Sequence, residues 1–147
     1  MQLNKFSDYA LRVLMYVSRP RNVPYTIAEI AENLVVSKNH LVKVVHFMAK
    51  QNWVMTTRGK GGGIQLNAKT LSLQLGDILR ILEGDHQIVN CVTPPCVMRS
   101  HCGLKSILDQ AVDHFYQSLN QYTLQDVLNR PAFPTRSLSS PISLLQL

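Results

Sequence analysis

The feature that most constrains the fold is a pair of capped amphipathic helices separated by only a few residues. Thr26 is followed three residues later by Glu29, which is the spacing of a capping box at the start of a helix. Ser37 is placed to cap a second helix in the same way. Apolar residues repeat at helical spacing after each cap: Ile27, Ile30, Ala31 and Leu34, then Leu41, Val44, Val45, Met48 and Ala49. A short helix, a tight turn and a second capped helix predict a helix-turn-helix.

The second of these helices has basic and amide side chains opposite its apolar stripe. A recognition helix reads DNA from its N-terminal turns, because that end enters the major groove. Asparagine pairs there with adenine, and lysine pairs with guanine or a phosphate. The sequence therefore predicts DNA contacts from the start of this helix, at Ser37, Lys38, Asn39, His40 and Lys43.

A glycine-rich stretch, Gly59–Gly63, lies between two short alternating segments, 53–58 and 64–66. Glycine adopts the positive φ angles of a hairpin turn, so a β-hairpin is predicted. After a helix-turn-helix such a hairpin is a wing, and Arg58 and Lys60 at its tip can reach phosphates or a narrow minor groove. The alternative is a flexible hairpin without a role in binding. A nucleotide-binding loop is excluded, because its Gly-Lys-Ser/Thr ending is missing.

The positive charge is confined to the first half of the chain. Residues 1–70 have ten basic and three acidic side chains, a net charge of +7, whereas residues 71–147 have five and six, a net charge of −1. This asymmetry favours a half that binds nucleic acid joined to a neutral half. No run approaches the roughly 20 apolar residues that span a bilayer, and the first residues lack a signal peptide's apolar stretch. We therefore expect a cytoplasmic protein without a membrane segment.

Further helices are predicted on both sides of this region. Ser7 is placed to cap a first helix, and residues 75–82 form another that ends at Gly84. A longer helix is predicted from Leu104 to Tyr122, with an apolar stripe at Leu104, Ile107, Leu108, Ala111, Phe115 and Leu119. Such a helix beside a small winged domain commonly pairs with its copy in a homodimer. The alternative is that it packs only within its own chain.

Thr123 is placed to cap a last short helix, Leu124–Leu128, and a flexible tail is expected beyond it. The predicted fold class is mainly α with a small β-hairpin, a winged helix-turn-helix plus a long C-terminal dimerisation helix. We expect a DNA-binding region at 1–70, a cysteine loop with dimerisation helices at 71–130, and the tail at 131–147.

All three cysteines of the chain lie within twelve residues, at Cys91, Cys96 and Cys102. An odd number cannot all pair in disulfides, and disulfides are rare in a reducing cytoplasm. Three thiols on a Pro-containing loop indicate three ligands of a metal ion or cluster, with a fourth supplied from elsewhere. The alternative is two unrelated core cysteines with a third nearby by chance.

With these features in order, the chain resembles the Rrf-two (Rrf2) family of winged-helix transcription regulators. The resemblance runs from Met1 to about Arg130, and rests on Phe6–Arg12, Val36–Lys43, Arg58–Leu66 and the Cys-x4-Cys-x5-Cys spacing. The family's iron–sulfur biogenesis regulators have a histidine where this chain has Lys105, and its cysteine-metabolism regulators lack the three-cysteine loop. The resemblance therefore implies a member that represses transcription and senses nitric oxide through an iron–sulfur cluster, [4Fe–4S] or [2Fe–2S].

The resemblance also implies that an aspartate of the partner subunit supplies the fourth ligand, and Asp8 is the matching residue. His101 is a rival ligand, and His86 is a weaker one. A plainer interpretation of Asp8 is that its carboxylate offsets the helix dipole and pairs with Arg12.

Two other functions compete with a cluster-dependent repressor. One is a winged-helix DNA-binding regulator with a structural zinc site of three cysteines and His101, or with a different redox or iron–sulfur signal. The other is an enzyme with a reactive cysteine, which is not expected, because no nucleophile, base and orienting group can be named together.

Overall fold

The computed structural model describes residues 2–84 and 88–130. The predicted tail, 131–147, lies outside the described residues. The elements in chain order are α1 (Lys5–Val17), α2 (Ile27–Leu34), α3 (Lys38–Lys50), β1 (Val54–Thr57), β2 (Gly63–Leu66), a 3-10 helix (Ala68–Ser72), α4 (Leu75–Glu83), α5 (Gly103–Leu119) and α6 (Leu124–Asn129). The fold is therefore mainly helical with a two-stranded hairpin, as predicted.

The start of α1 differs from the prediction. Asn4 is the N-cap, and its side chain accepts a hydrogen bond from the backbone N–H of Ser7 at 2.8 Å. Ser7 is fully buried inside the first turn. The prediction that Ser7 caps α1 was wrong because asparagine is an equally good cap and lies one turn earlier.

The helix-turn-helix is built as the caps predict. Thr26 and Glu29 form the complete capping box of α2, and Ser37 Oγ accepts from the His40 N–H at 3.4 Å at the start of α3. Arg21 holds Glu29 through two hydrogen bonds, and this pairing lowers the pKa of the Glu29 carboxyl. The turn between α2 and α3 places Val35 in the left-handed region, at φ 54°, which is strained for a β-branched residue.

The hairpin is a wing packed on the helices. β1 and β2 are antiparallel, with Val54 opposite Leu66 and Thr57 opposite Gly63. Tyr25, just before α2, adds a single bridge to β2, in which its N–H donates to the Ile64 carbonyl at 2.9 Å. This bridge fixes the hairpin to the helix-turn-helix, and the alternating pattern did not predict it.

One hydrophobic core joins the two halves of the chain. The apolar faces of α1, α2 and α3 meet the hairpin and residues of α4 and α6. The largest fully buried apolar side chains in it are Leu14, Ile30, Leu41, Met48, Ile78 and Leu124. α4 and α6 share this core with α1, α2 and α3. A change in the position of α1 would therefore alter the packing of the helices from both halves of the chain.

The pairing of α4 with α5 depends on a close approach at Gly76. A Cβ at this position would lie 2.3 Å from both the Asn120 Oδ1 and the Tyr116 carbonyl oxygen. Asn120, just after α5, donates from Nδ2 to Asp77 Oδ1 at 2.8 Å, and its Oδ1 accepts from the Asp77 N–H at 2.9 Å. The side chain of Asn120 thus caps α4, whose own N-cap residue makes no side-chain bond.

We therefore expect Gly76→Ala to lower the free energy of unfolding by about 1–3 kcal/mol, because the added methyl group overpacks the contact. Thermal unfolding followed by circular dichroism measures the change. Gly103→Ala is the matched control, since a Cβ there meets nothing within 4 Å, and it should leave stability unchanged or slightly raised. Equal melting temperatures for the two variants would contradict the close approach.

Candidate functional site

The predicted DNA-contacting residues of α3 share one exposed face. Lys38, Asn39, His40 and Lys43 are all exposed, while Ser37 is held in its capping role. The opposite face is buried at Leu41, Val44, Val45 and Met48. The packing of α3 therefore leaves the side chains of its first turns free to meet a major groove.

The two basic residues of the wing lie in its turn. Gly59 and Gly61 have φ of +94° and +81°, and the Gly62 N–H donates to the Gly59 carbonyl at 3.0 Å. Arg58 and Lys60 are both exposed there. The glycines thus give the turn its shape, and the charged side chains project from it without a described carboxylate partner.

The cysteine loop is folded by local backbone hydrogen bonds. Asn90 Oδ1 accepts from the N–H groups of Val92 and Thr93 at 2.9 and 3.0 Å. The Cys96 N–H then donates to the Cys91 carbonyl at 3.3 Å. These bonds bring the chain at Cys96 back to Cys91, so two of the three cysteines belong to one tight turn.

The three thiols differ in exposure, and none is in a disulfide. Cys91 is buried at 9% exposure, Cys96 is exposed and Cys102 is intermediate. Cys102 is also the N-cap residue of α5 and makes no side-chain capping bond, so a thiolate there faces the positive end of the helix dipole. The alternative of two core cysteines and a chance neighbour does not fit, because only Cys91 is buried.

The donor set fits a metal or cluster by its chemistry, because soft thiolates are the usual ligands of iron–sulfur clusters and zinc. The geometry is open, however. Within residues 2–84 and 88–130, no three His, Cys, Asp or Glu side chains come together as a metal-binding group. A single chain thus presents three thiols on one loop without closing them around a common centre.

The fourth-ligand candidates either have another partner in the structure or lie outside the described residues. Asp8 is in the first turn of α1, where its Oδ1 accepts from Arg12 Nε at 2.8 Å, as the plainer interpretation predicted. Exposed pairs of this kind contribute little stability, so the carboxylate remains available. His101 is exposed, with Nδ1 2.8 Å from Ser100 Oγ, and His86 lies outside the described residues.

A contact joins the start of α1 to the helix end that precedes the cysteine loop. The Asn4 N–H donates to Glu83 Oε1 at 3.1 Å, across 79 positions of sequence. Glu83 is the last residue of α4, and Gly84 ends the helix at φ 67°. Sequence reasoning missed both Asn4 and Glu83, because a long-range backbone-to-side-chain bond has no sequence pattern.

The same end of α4 is fixed to α5. Arg80 Nη2 donates to Asp113 Oδ1 at 2.9 Å, and its guanidinium lies over the Tyr116 ring, 4.4 Å from the centroid. Burial raises the pKa of the Tyr116 hydroxyl, and the nearby Glu83 carboxylate adds to the rise. α4 and α5, which flank the cysteine loop, are therefore joined by an ion pair and a cation–π contact.

The apolar stripe of α5 is covered only in part by the described residues, since Leu108, Phe115 and Leu119 are half-buried. Tyr116 is the buried residue of this helix, whereas Leu104 and Ile107 are 59% and 64% exposed. The helix also ends at Leu119, not at Tyr122 as predicted, since Asn120 turns the chain to cap α4. The packing against α4 thus uses one face of α5 and leaves the N-terminal end of the predicted dimerisation stripe open.

None of the described helices has the length and apolar character of a membrane span.

The family model of Rrf2, described as an iron-dependent transcriptional regulator, matches residues 3–130. The chain belongs to the Rrf2 family. It is therefore a transcription regulator and not an enzyme, as the sequence predicted.

Relatives of this Rrf2 chain agree with that assignment. The HTH-type transcriptional regulator NsrR of Bacillus licheniformis is 36% identical over 132 residues, covering 87% of this chain and 92% of the relative. Among solved structures, Staphylococcus aureus CymR covers 88% of this chain and 99% of its own, with TM-score 0.70 and 21% identity. T. potens IscR covers 87% and 86%, with TM-score 0.61 and 24% identity. The structural likeness confirms the winged helix-turn-helix fold.

Proposed function

We propose that this Rrf2 regulator is an iron–sulfur-dependent repressor that senses nitric oxide, with operator DNA released on nitrosylation or loss of the cluster. The observation that carries the proposal is the set of three thiols, free of disulfides, on one loop of an Rrf2 chain. The 36% identity to NsrR supports it. The protein is proposed to be cytoplasmic, where thiols stay reduced.

Cys91, Cys96 and Cys102 would hold the cluster, with Asp8 of the partner subunit as the fourth ligand. A bound cluster supplies iron that nitric oxide can attack, most easily where an oxygen donor replaces a thiolate. The turn from Cys91 to Cys96 keeps two thiols on one short segment. The third thiol belongs to Cys102, the N-cap residue of α5, where no capping bond occupies its side chain.

The residues around the loop are proposed to pass its state to the DNA-binding half. Glu83, which precedes the cysteine loop, accepts a hydrogen bond from the N–H of Asn4. Asn4 caps α1, the helix that contains Asp8. α1 in turn shares the core with α3. A small shift of α1 would thus change the position of the recognition helix, and half-sites about 34–36 Å apart demand a fixed dimer geometry.

In this proposal residues 1–70 are the DNA-binding region and 71–130 contain the cluster loop and dimerisation helices. The partners are double-stranded operator DNA and a second copy of the chain, paired through α5. The contacts to DNA come from residues exposed on α3 and the wing, namely Lys38, Asn39, His40, Lys43, Arg58 and Lys60, with Ser37 at the start of α3.

Anaerobic purification followed by metal analysis and visible absorption tests the proposal. The expected protein is brown, contains iron and sulfide, and loses its visible absorbance when nitric oxide is added. A colourless protein with one zinc ion per chain would contradict the proposal and support a structural zinc site of the three cysteines and His101.

The fourth ligand is tested by Asp8→Ala. We expect this variant to bind less iron than wild type, or to lose its visible absorbance faster under nitric oxide, because one iron lacks its protein ligand. Arg12→Ala is the matched control, since it breaks the same ion pair but keeps the carboxylate. His101→Ala should behave as wild type, and a larger iron loss in His101→Ala than in Asp8→Ala would reverse the assignment.

A further inference from the structure

A groove between α1 and α3 combines two predicted DNA-contacting residues of α3 with side chains of α1 that no prediction included. Lys5 and Tyr9 of α1 line one side, and His40 and Lys43 of α3 line the other. Phe6 and Val44 form the apolar floor. Two elements thus contribute cationic side chains to a single concave surface beside the recognition helix.

The groove is held in a fixed shape. The rings of Phe6 and Phe47 meet edge to face, with centroids 5.3 Å apart, and the Tyr9 ring lies 6.2 Å from the His40 ring. The floor residue Val44 is buried. Lys5 is therefore carried by a helix whose first turn is packed directly on the recognition helix.

The two lysines of the groove have no carboxylate partner among the described residues. Within the part of the chain that the structure describes, neither Lys5 nor Lys43 forms an ion pair. The nearest acidic residue along α1, Asp8, is paired with Arg12 instead. Two lysines on one surface without described carboxylate partners are suited to bind an anion, and the Tyr9 hydroxyl beside them adds a hydrogen-bond donor.

We propose that Lys5 and Tyr9 bind a backbone phosphate of the operator, in a clamp completed by His40 and Lys43. This inference rests on the proposed DNA-binding function. When α3 lies in the major groove, the helix packed beside its first turns faces the flanking sugar–phosphate chain rather than the bases. Lys5 and Tyr9 therefore contribute affinity and register, and they do not distinguish sequences.

Salt dependence of binding tests the clamp, because each neutralised phosphate contributes a slope of about −0.9 to log K against log salt. Two duplexes are used, one of random sequence and one that the wild-type protein selects from a random pool. For Lys5→Gln we expect a slope smaller by about one and a loss of affinity by the same factor on both duplexes. Tyr9→Phe should weaken both duplexes equally and leave the slope unchanged, because no charge is removed.

Lys69→Gln is the matched control, since Lys69 is exposed on the 3-10 helix outside the groove; its slope should equal that of wild type. An unchanged slope in Lys5→Gln, or a loss confined to the selected duplex, would overturn the clamp while wild-type binding stays intact. Failure of wild type to bind DNA would instead overturn the proposed function. Inorganic phosphate should compete no better than chloride at equal ionic strength, and specific competition would indicate a site for a free anion.

Discussion

A Cys96→Ser variant is expected to purify without stoichiometric iron and to lose specific operator binding. Cys96 is exposed, so the substitution removes a proposed ligand without disturbing the core. Affinity for the selected operator should fall by about a thousandfold or more, toward the level of nonspecific DNA. Iron and sulfide analysis, together with binding to operator and random duplexes at one salt concentration, measures both effects.

Val97→Ser is the matched control, because Val97 is the next residue of the loop and is 97% exposed. It changes the same surface and leaves all three thiols in place, so it should keep the iron content and the operator affinity of wild type. A Cys96→Ser protein that retains the cluster and binds operator as tightly as wild type would contradict the role of this cysteine. Cys91→Ser is a less clear test, since that side chain is buried and its replacement also affects packing.

Ile107→Glu is expected to convert the protein from a dimer to a monomer. Ile107 is exposed in the single chain and lies at the open N-terminal end of the apolar stripe of α5, so a charge there leaves the fold intact but opposes pairing with a second copy. The mass in sedimentation should fall from twice 16.6 kDa to 16.6 kDa. Operator affinity should fall by roughly 10²–10⁴-fold, because two linked half-site contacts become one.

Gln117→Glu provides the control on the same helix. Gln117 is exposed but lies on another face of α5, so the added charge should leave the mass and the operator affinity unchanged. Equal masses for wild type and Ile107→Glu would contradict dimerisation through this stripe. Such a result would support the alternative that α5 packs only within its own chain.

Local sequence signals were sufficient for most of the fold. The capping boxes at Thr26 and Thr123, the cap at Ser37 and the stop at Gly84 lie where short-range hydrogen bonding requires them. The family resemblance was confirmed, since the family model covers 3–130. These features depend on residues within one or two helical turns, which is the range over which a single sequence is informative.

These short-range sequence signals did not predict contacts between residues that are far apart in the chain. The bond from Asn4 to Glu83, the bridge from Tyr25 to Ile64 and the capping of α4 by Asn120 join residues far apart in the chain. Val35 shows another limit, since its left-handed φ of 54° is a position where glycine is expected. The turn between α2 and α3 requires this positive φ, whereas residue propensity alone predicts a negative φ for valine.

The ligand chemistry of the candidate site was predictable from the sequence, but whether the three thiols come together was not. Three thiols on one loop are evident from the sequence, whereas the described chain does not bring them together as a metal-binding group. The proposed fourth ligand, Asp8, is held by Arg12 within its own chain. In the proposed site the fourth ligand comes from the partner subunit, so Asp8 need not lie beside the cysteine loop of its own chain.

The central claim is that the state of the cysteine loop controls operator binding. The most direct test compares one preparation of wild-type protein in two forms, with its cluster intact and after removal of the cluster by nitric oxide, at a single salt concentration. We predict tight binding to the selected operator in the first form and binding no stronger than to random duplex in the second. Equal operator affinity of the two forms would contradict the account.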